Sequence, residues 1–161
     1  VEGKLELSLS RGLSAFGNVS WEIAQGQGIA SAKFLFSDDQ LASQAWETLD
    51  HVQTWTANLG ATVQHGPASL TALLAYGSGL RTGPDNSQSV PEHVRIDTTL
   101  SYSFDTLPLR PRAAIDIINL LDAHYAYRLG NGFVGSSYAA PRTVFLRIAV
   151  PLSRAHSGGA V

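Results

Sequence analysis

Apolar side chains recur at every second position along most of this chain, the two-residue repeat of a strand and not the 3.6-residue repeat of a helix. Leu5, Leu7 and Leu9 alternate with Lys4, Glu6 and Ser8, then Leu13, Ala15, Val19, Trp21 and Ile23 with Ser14, Asn18, Ser20 and Glu22. Trp55, Ala57, Leu59, Ala61 and Val63 oppose Thr54, Thr56, Asn58, Thr62 and Gln64. Leu70, Ala72, Leu74 and Tyr76 continue the pattern, with Leu73 and Ala75 on the other parity. The cleanest run sets Val94, Ile96, Leu100, Tyr102 and Phe104 against Arg95, Asp97, Thr99, Ser101 and Ser103. Ala113, Ile115 and Ile117 then face away from Arg112 and Asp116. Val144, Leu146, Ile148, Val150 and Leu152 close the series against Thr143, Arg147 and Ala149. Phe16 and Phe145 break the rule by lying on the polar parity.

Seven strands follow, and their connections alternate in length. Short ones lie at Arg11-Gly12, Gly66-Pro67 and 105–110; long ones run over about 26–51, 77–92 and 121–141. Brief turns at one end and long loops at the other are the layout of an up-and-down antiparallel outer-membrane barrel, whose strands of about ten residues cross a thin apolar band. The aromatics fit two interfacial girdles: Trp21, Trp55 and Tyr76 near the long loops, Tyr102 and Phe104 near a short turn. A soluble β-sandwich filling its core with large residues is the competing architecture.

Composition narrows the class further. Only 15% of the residues are charged, against roughly a quarter in ordinary soluble domains. With no cysteine and a net charge of -2, a disulfide scaffold and a nucleic-acid partner have no support. The stretch between Asp50 and Arg81 carries no charge, yet Gln53, Asn58, Gln64 and His65 and the Gly66-Pro67 break argue for two strands about a turn over a spanning helix. No export signal begins the chain, and its Met-free start inside the alternation at Val1 leads us to expect a piece of something longer.

The last half carries a resemblance. Tyr76-Gly77-Ser78-Gly79-Leu80-Arg81-Thr82 is followed by Asn86, by Val90-Pro91 and by the strand beginning at His93. Then come Asp116-Ile117-Ile118-Asn119-Leu120-Leu121-Asp122-Ala123-His124-Tyr125 and Ala140-Pro141-Arg142. In order and spacing this resembles the C-terminal barrel segment of TonB-dependent outer-membrane receptors. The resemblance implies an all-β fold: a transmembrane β-barrel portion, residues 1–152 supplying about seven strands of a twenty-two-stranded barrel, with a polar tail over 153–161. It further implies TonB-dependent uptake of a siderophore, cobalamin or similarly scarce nutrient across the outer membrane of a Gram-negative bacterium. The implied partners are outer-membrane lipid, an N-terminal plug, the remaining barrel strands, TonB through the N-terminal region, and the small nutrient ligand. Family members usually end the closing strand on an aromatic residue; here Leu152 follows Pro151 at that point.

Chemistry-bearing motifs are few. Gly130-Asn131-Gly132-Phe133-Val134-Gly135 spells a dinucleotide fingerprint, but neither a parallel strand before it nor a helix after it is readable. The histidines are scattered, without a metal-ligand pair, although His51, His93 and His124 fall at the long-loop end. No nucleophile elbow is present, so neither a catalytic residue nor a cofactor is expected. Two groups remain as candidates. Arg95, Asp97, Arg112, Asp116 and Arg147, with Lys4, Glu6 and Glu22, are expected to line the lumen, to hold a plug, guide a charged substrate or simply form a hydrated wall. Phe34, Phe36, Asp38, Asp39 and Trp46 make the longest loop the candidate ligand loop, with a short helix expected within Ser37–Trp46. A passive porin or small barrel, and less favourably a soluble binding module, are the alternative functions.

Overall fold

Alternating β-branched, aromatic and leucine residues bounded by Gly and Pro favour strands. The computed structural model describes residues 1–28, 39, 45–49, 52–82, 86, 88–130 and 135–151. In chain order its strands begin β1 (Glu2–Ser10), β2 (Leu13–Trp21), β3 (Gln25–Gly26), β4 (Glu47–Thr48), β5 (Trp55–His65) and β6 (Ala68–Gly77). They continue β7 (Arg81–Thr82), β8 (Gln88–Ser89), β9 (His93–Ser103), β10 (Arg112–Ile118), β11 (Ala126–Arg128), β12 (Ser137–Tyr138) and β13 (Thr143–Ala149). Seven of these form one sheet in the order β1-β2-β5-β6-β9-β10-β13, every neighbour antiparallel. The short-and-long alternation of connections is therefore real. The long connections also contain what periodicity does not reveal, the two-stranded ribbons β3-β4, β7-β8 and β11-β12.

The sheet is open. β1 and β13 are its edges and do not pair with one another, so the described chain is an antiparallel sheet and not a closed barrel. The last strand is also shorter than the alternation predicted: it ends at Ala149, because Pro151 has no amide hydrogen to continue a ladder. Leu152 and the tail beyond it lie outside the described residues. Likewise β2 stops at Trp21 and leaves Ile23 outside it, and β9 stops at Ser103, one residue before Phe104.

Register separates the faces cleanly. One row across the sheet runs Leu146, Ile115, Leu100, Leu70, Val63, Leu13. A row on the opposite face runs Asp116, Thr99, Thr71, Thr62, Ser14, Ser8. The apolar row starts in the middle of β13 and reaches the first residue of β2, so the strands are staggered against the perpendicular. A stagger of about one residue per strand corresponds to a tilt of about 35°, within the range of strands in curled and closed sheets.

The apolar face has no cover. Its strand positions carry no Asp, Glu, Lys or Arg, and its large side chains stand exposed, Leu59 at 55% and Leu146 at 73%. The fully or nearly buried residues lie elsewhere: Val90, Asn86 and Asn119 in the long-loop connections, Ala114 and Ser101 on the polar face. Phe16, the parity exception, finds its place there too. It stands directly opposite Gly60 on the polar face, where a Cβ on Gly60 would run into its ring.

Candidate functional site

On the polar face the middle of the wall is neutral and closely bonded. Thr62 and Thr71 hydroxyls meet at 3.0 Å, Ser69 and Ser101 at 2.7 Å, and the Asn58 amide donates to Asn18 at 3.0 Å. Such cross-strand pairs satisfy polar side chains without requiring a charge.

The expected lumen charges Arg95, Asp97, Arg112, Asp116 and Arg147 all lie on this face, towards the β13 edge, and they divide into three groups. Arg147 grips Asp116 side-on, Nε to Oδ2 at 3.1 Å and Nη2 to Oδ1 at 2.9 Å, while Thr99 donates to the same carboxylate at 2.7 Å. Arg112 spans the neutral rows, donating to Ser101 at 2.5 Å and to Ser69 at 3.2 Å. Arg95 pairs with Asp97 Oδ2 at 3.0 Å. The other oxygen of Asp97, Oδ1, accepts the backbone amide of Asn119 at 2.9 Å and so ties the wall to the loop after β10. Lys4 and Glu6 pair with each other at 2.7 Å on the β1 edge.

The motif residues turn out to be clasps. Asn119 is completely buried with φ 55°, a left-handed backbone that asparagine tolerates better than most residues. Its amide group donates to the carbonyls of Ala123 at 3.1 Å and Ala140 at 3.0 Å and accepts from the Ala123 amide at 2.9 Å. Asp122 accepts the Arg142 amide at 2.7 Å, fixing the start of the closing strand. In the preceding long connection, Ser78 and Trp55 exchange two bonds at 3.0 Å, and buried Asn86 donates to the Thr48 carbonyl at 3.0 Å. Gly79, at φ +87°, leaves no room for a side chain beside the Val90 carbonyl. Asn86 thus ties the connection after β6 to the connection after β2, while the Asn119 and Asp122 bonds fold the connection after β10 onto itself and onto the start of β13.

Above that end lies a cluster that the sequence did not single out. His93, first residue of β9, stacks on Tyr125 with ring centroids 4.2 Å apart and nearly parallel, and meets Tyr127 edge-on at 5.7 Å. The Tyr125 and Tyr127 hydroxyls are 3.1 Å apart, and Arg95 donates to Tyr127 at 3.5 Å. Burial, then the bond to Tyr127, pushes the Tyr125 phenol up to about 12, so it keeps its proton at neutral pH. The available signals were His93 and Arg95 on the polar parity of β9 and Tyr125 at the end of its motif. What joins them is the return of the chain through β11, which no periodicity announces.

The remaining candidates are not brought into this cluster. Phe34, Phe36 and Asp38 of the expected ligand loop, and most of the helix expected within Ser37–Trp46, lie outside the described residues; Asp39 and Trp46 are exposed. His51 also lies outside them, and His124 is exposed, 3.9 Å from Asp122. Among the described residues no group of three or more His, Cys, Asp or Glu side chains gathers to hold a metal ion. Around the Gly130–Gly135 fingerprint the described residues pair as the antiparallel ribbon β11-β12, which lacks the strand-turn-helix geometry a dinucleotide requires. At the girdle positions Trp21 and Trp55 are directly paired across strands, with ring centroids 6.3 Å apart, and Tyr102 meets Phe104 at 5.0 Å. Comparison with protein-family models found no match, and neither did a search of the curated proteins.

Proposed function

We propose that this chain is part of the wall of a transmembrane β-barrel in a Gram-negative outer membrane. In this reading it is the C-terminal portion of a TonB-dependent receptor that takes up a siderophore, cobalamin or similarly scarce nutrient. One observation carries the membrane part: a seven-stranded sheet with one continuous, charge-free and exposed apolar face, backed by a hydrogen-bonded polar face. In water so large an apolar surface drives association; against lipid it is the stable arrangement, because antiparallel strands satisfy their backbone groups within the protein. Supporting it, strands of up to 11 residues at the tilt given by the stagger span about 27–30 Å, enough to cross an apolar barrel band of about 25 Å. Aromatic rings lie at both ends of that band. No helix among the described residues is long and apolar enough to cross a membrane. The open edges at β1 and β13 are where further barrel strands would pair.

The receptor part rests on the motif order of residues 76–142 and on the work those residues do. Asn86, Asn119, Asp122 and Arg142 hold the long connections in fixed positions, as a wall that presents loops to a ligand and a plug requires.

The test uses the full-length protein that contains this chain. It is expected to require detergent for extraction and to fold into lipid vesicles. Leu59→Arg should markedly destabilise the vesicle-folded protein, while Thr62→Arg on the opposite face should cost far less. Equal behaviour of the two variants, or extraction in plain buffer, overturns the membrane reading. Uptake of iron chelates and cobalamin should then be lost when TonB is deleted; uptake that persists identifies a passive porin instead.

A further inference from the structure

The Phe16 ring, the aromatic that breaks the alternation on β2, borders an open trough of about 460 Å³ on the polar face near the β1 edge. Register defines its shape. Glu6, Phe16 and Gly60 stand opposite one another in one row across β1, β2 and β5, and Ser8, Ser14 and Thr62 form the next row on the same face. Between the rows run Leu7, Ala15 and Ala61, whose side chains point to the apolar face, so their backbone makes the floor. Alternate residues of a strand lie about 7 Å apart, which sets the width between the two rows. Gly60 seats one wall of the trough, because the Phe16 ring lies against it in space that a Cβ would occupy.

The two walls differ in chemistry, and the difference selects the occupant. One is an aromatic ring that stays 40% exposed. The other is a row of hydroxyls: Thr62 bonds Thr71, while the Ser8 and Ser14 hydroxyls have no partner among the described residues. Further along the face the hydroxyls close on each other instead, Ser69 on Ser101, with Arg112 donating to both. Glu6 is the one charged residue lining the trough, and Lys4 neutralises it at 2.7 Å. An ion therefore meets no net charge there. Hydroxyls both donate and accept, as do those of a sugar, and the Lys4 and Glu6 pair adds donors and an acceptor at one end. The ring supplies apolar surface for the C–H side of a sugar. The volume lies within the range of pockets that hold small molecules.

We infer that the trough between Phe16 and the row of Ser8, Ser14 and Thr62 binds a neutral polyhydroxylated solute, a mono- or disaccharide. The ring packs against the C–H side of the sugar, and the hydroxyl row with Glu6 exchanges hydrogen bonds with its O–H groups. The site goes beyond the proposed function and does not depend on it. A failed sugar titration leaves the membrane reading intact, and a chain that binds sugar but extracts in plain buffer overturns the membrane reading alone.

The experiment is an NMR saturation-transfer titration of the full-length protein with maltose and, separately, cellobiose, in an amine-oxide detergent that carries no sugar headgroup. Choline serves as the cationic comparison. At least one disaccharide should bind with a Kd below about 10 mM, and more tightly than choline. Phe16→Leu keeps apolar bulk and removes the ring; it should weaken binding by about threefold or more. Ser14→Ala should weaken it by about twofold or more. Phe145→Leu removes the other ring on the polar parity and should leave the affinity unchanged. Absence of binding by both sugars overturns the proposal, as does tighter binding of choline, undiminished affinity in the Phe16→Leu protein or an equal loss in the Phe145→Leu protein. Should Phe16→Leu fail to fold, Ser14→Ala decides, and unchanged affinity there overturns the site.

Discussion

The two faces of this sheet share one backbone and one register, yet they are held together in different ways. On the apolar face, Leu13, Val63, Leu70, Leu100, Ile115 and Leu146 lie in one row and depend on no particular neighbour. Their requirement is an apolar surrounding, so one aliphatic residue serves there about as well as another. On the polar face each residue has a named partner: Thr62 has Thr71, Asn58 has Asn18, Asp116 has Arg147, Asp97 has Arg95 and Asn119. Tolerance to substitution should therefore differ by face and, on the polar face, by how deeply the partner is buried.

A charge on the apolar face strikes hardest at this contrast. On the proposed membrane reading, Leu59→Arg should destabilise the vesicle-folded protein by about 2–4 kcal/mol, read by urea titration, while Thr62→Arg on the other face of the same strand should cost far less. Next comes the buried clasp. Asn119→Ala leaves the Ala123 amide and the Ala123 and Ala140 carbonyls without the partner they have now, and should cost about 2–3 kcal/mol in the same titration. Asp97→Ala removes the acceptor of the Asn119 amide and the partner of Arg95, with an expected loss of about 1–2 kcal/mol. Smallest of all is Asp116→Ala. Its partner Arg147 is exposed, so the pair is screened by water and salt, and the unfolding midpoint should barely move at physiological ionic strength. A larger effect at Asp116 than at Asp97 would reverse this ranking of the wall charges and show that ion pairing, not loop anchoring, holds the polar face.

Much of this was legible from the residues. Strand parity placed Arg95, Asp97, Arg112, Asp116 and Arg147 on one face because a two-residue repeat leaves only two sides to choose from. It also flagged Phe16 as an exception, and the register shows it filling the space above Gly60. Periodicity failed where it has nothing to act on. The ribbons β3-β4, β7-β8 and β11-β12 are two or three residues long, shorter than any run that alternation can reveal. The end of β13 was misplaced because Val150 and Leu152 keep the alternation after Pro151 has removed the ladder hydrogen bond.

Local alternation and connection length suffice to specify the seven strands, their antiparallel order and the separation of apolar from polar faces, and all of these are written in the residues themselves. That Asp97 receives the Asn119 amide, that Asn86 reaches Thr48, and that His93 lies beneath Tyr125 was settled only in the folded molecule. These partners are far apart in the chain and meet only after the strands have registered and the long connections have folded back over one end of the sheet. No local pattern carries that information, because hydrogen bonds and ring stacks depend on the distances and directions that the assembled sheet creates.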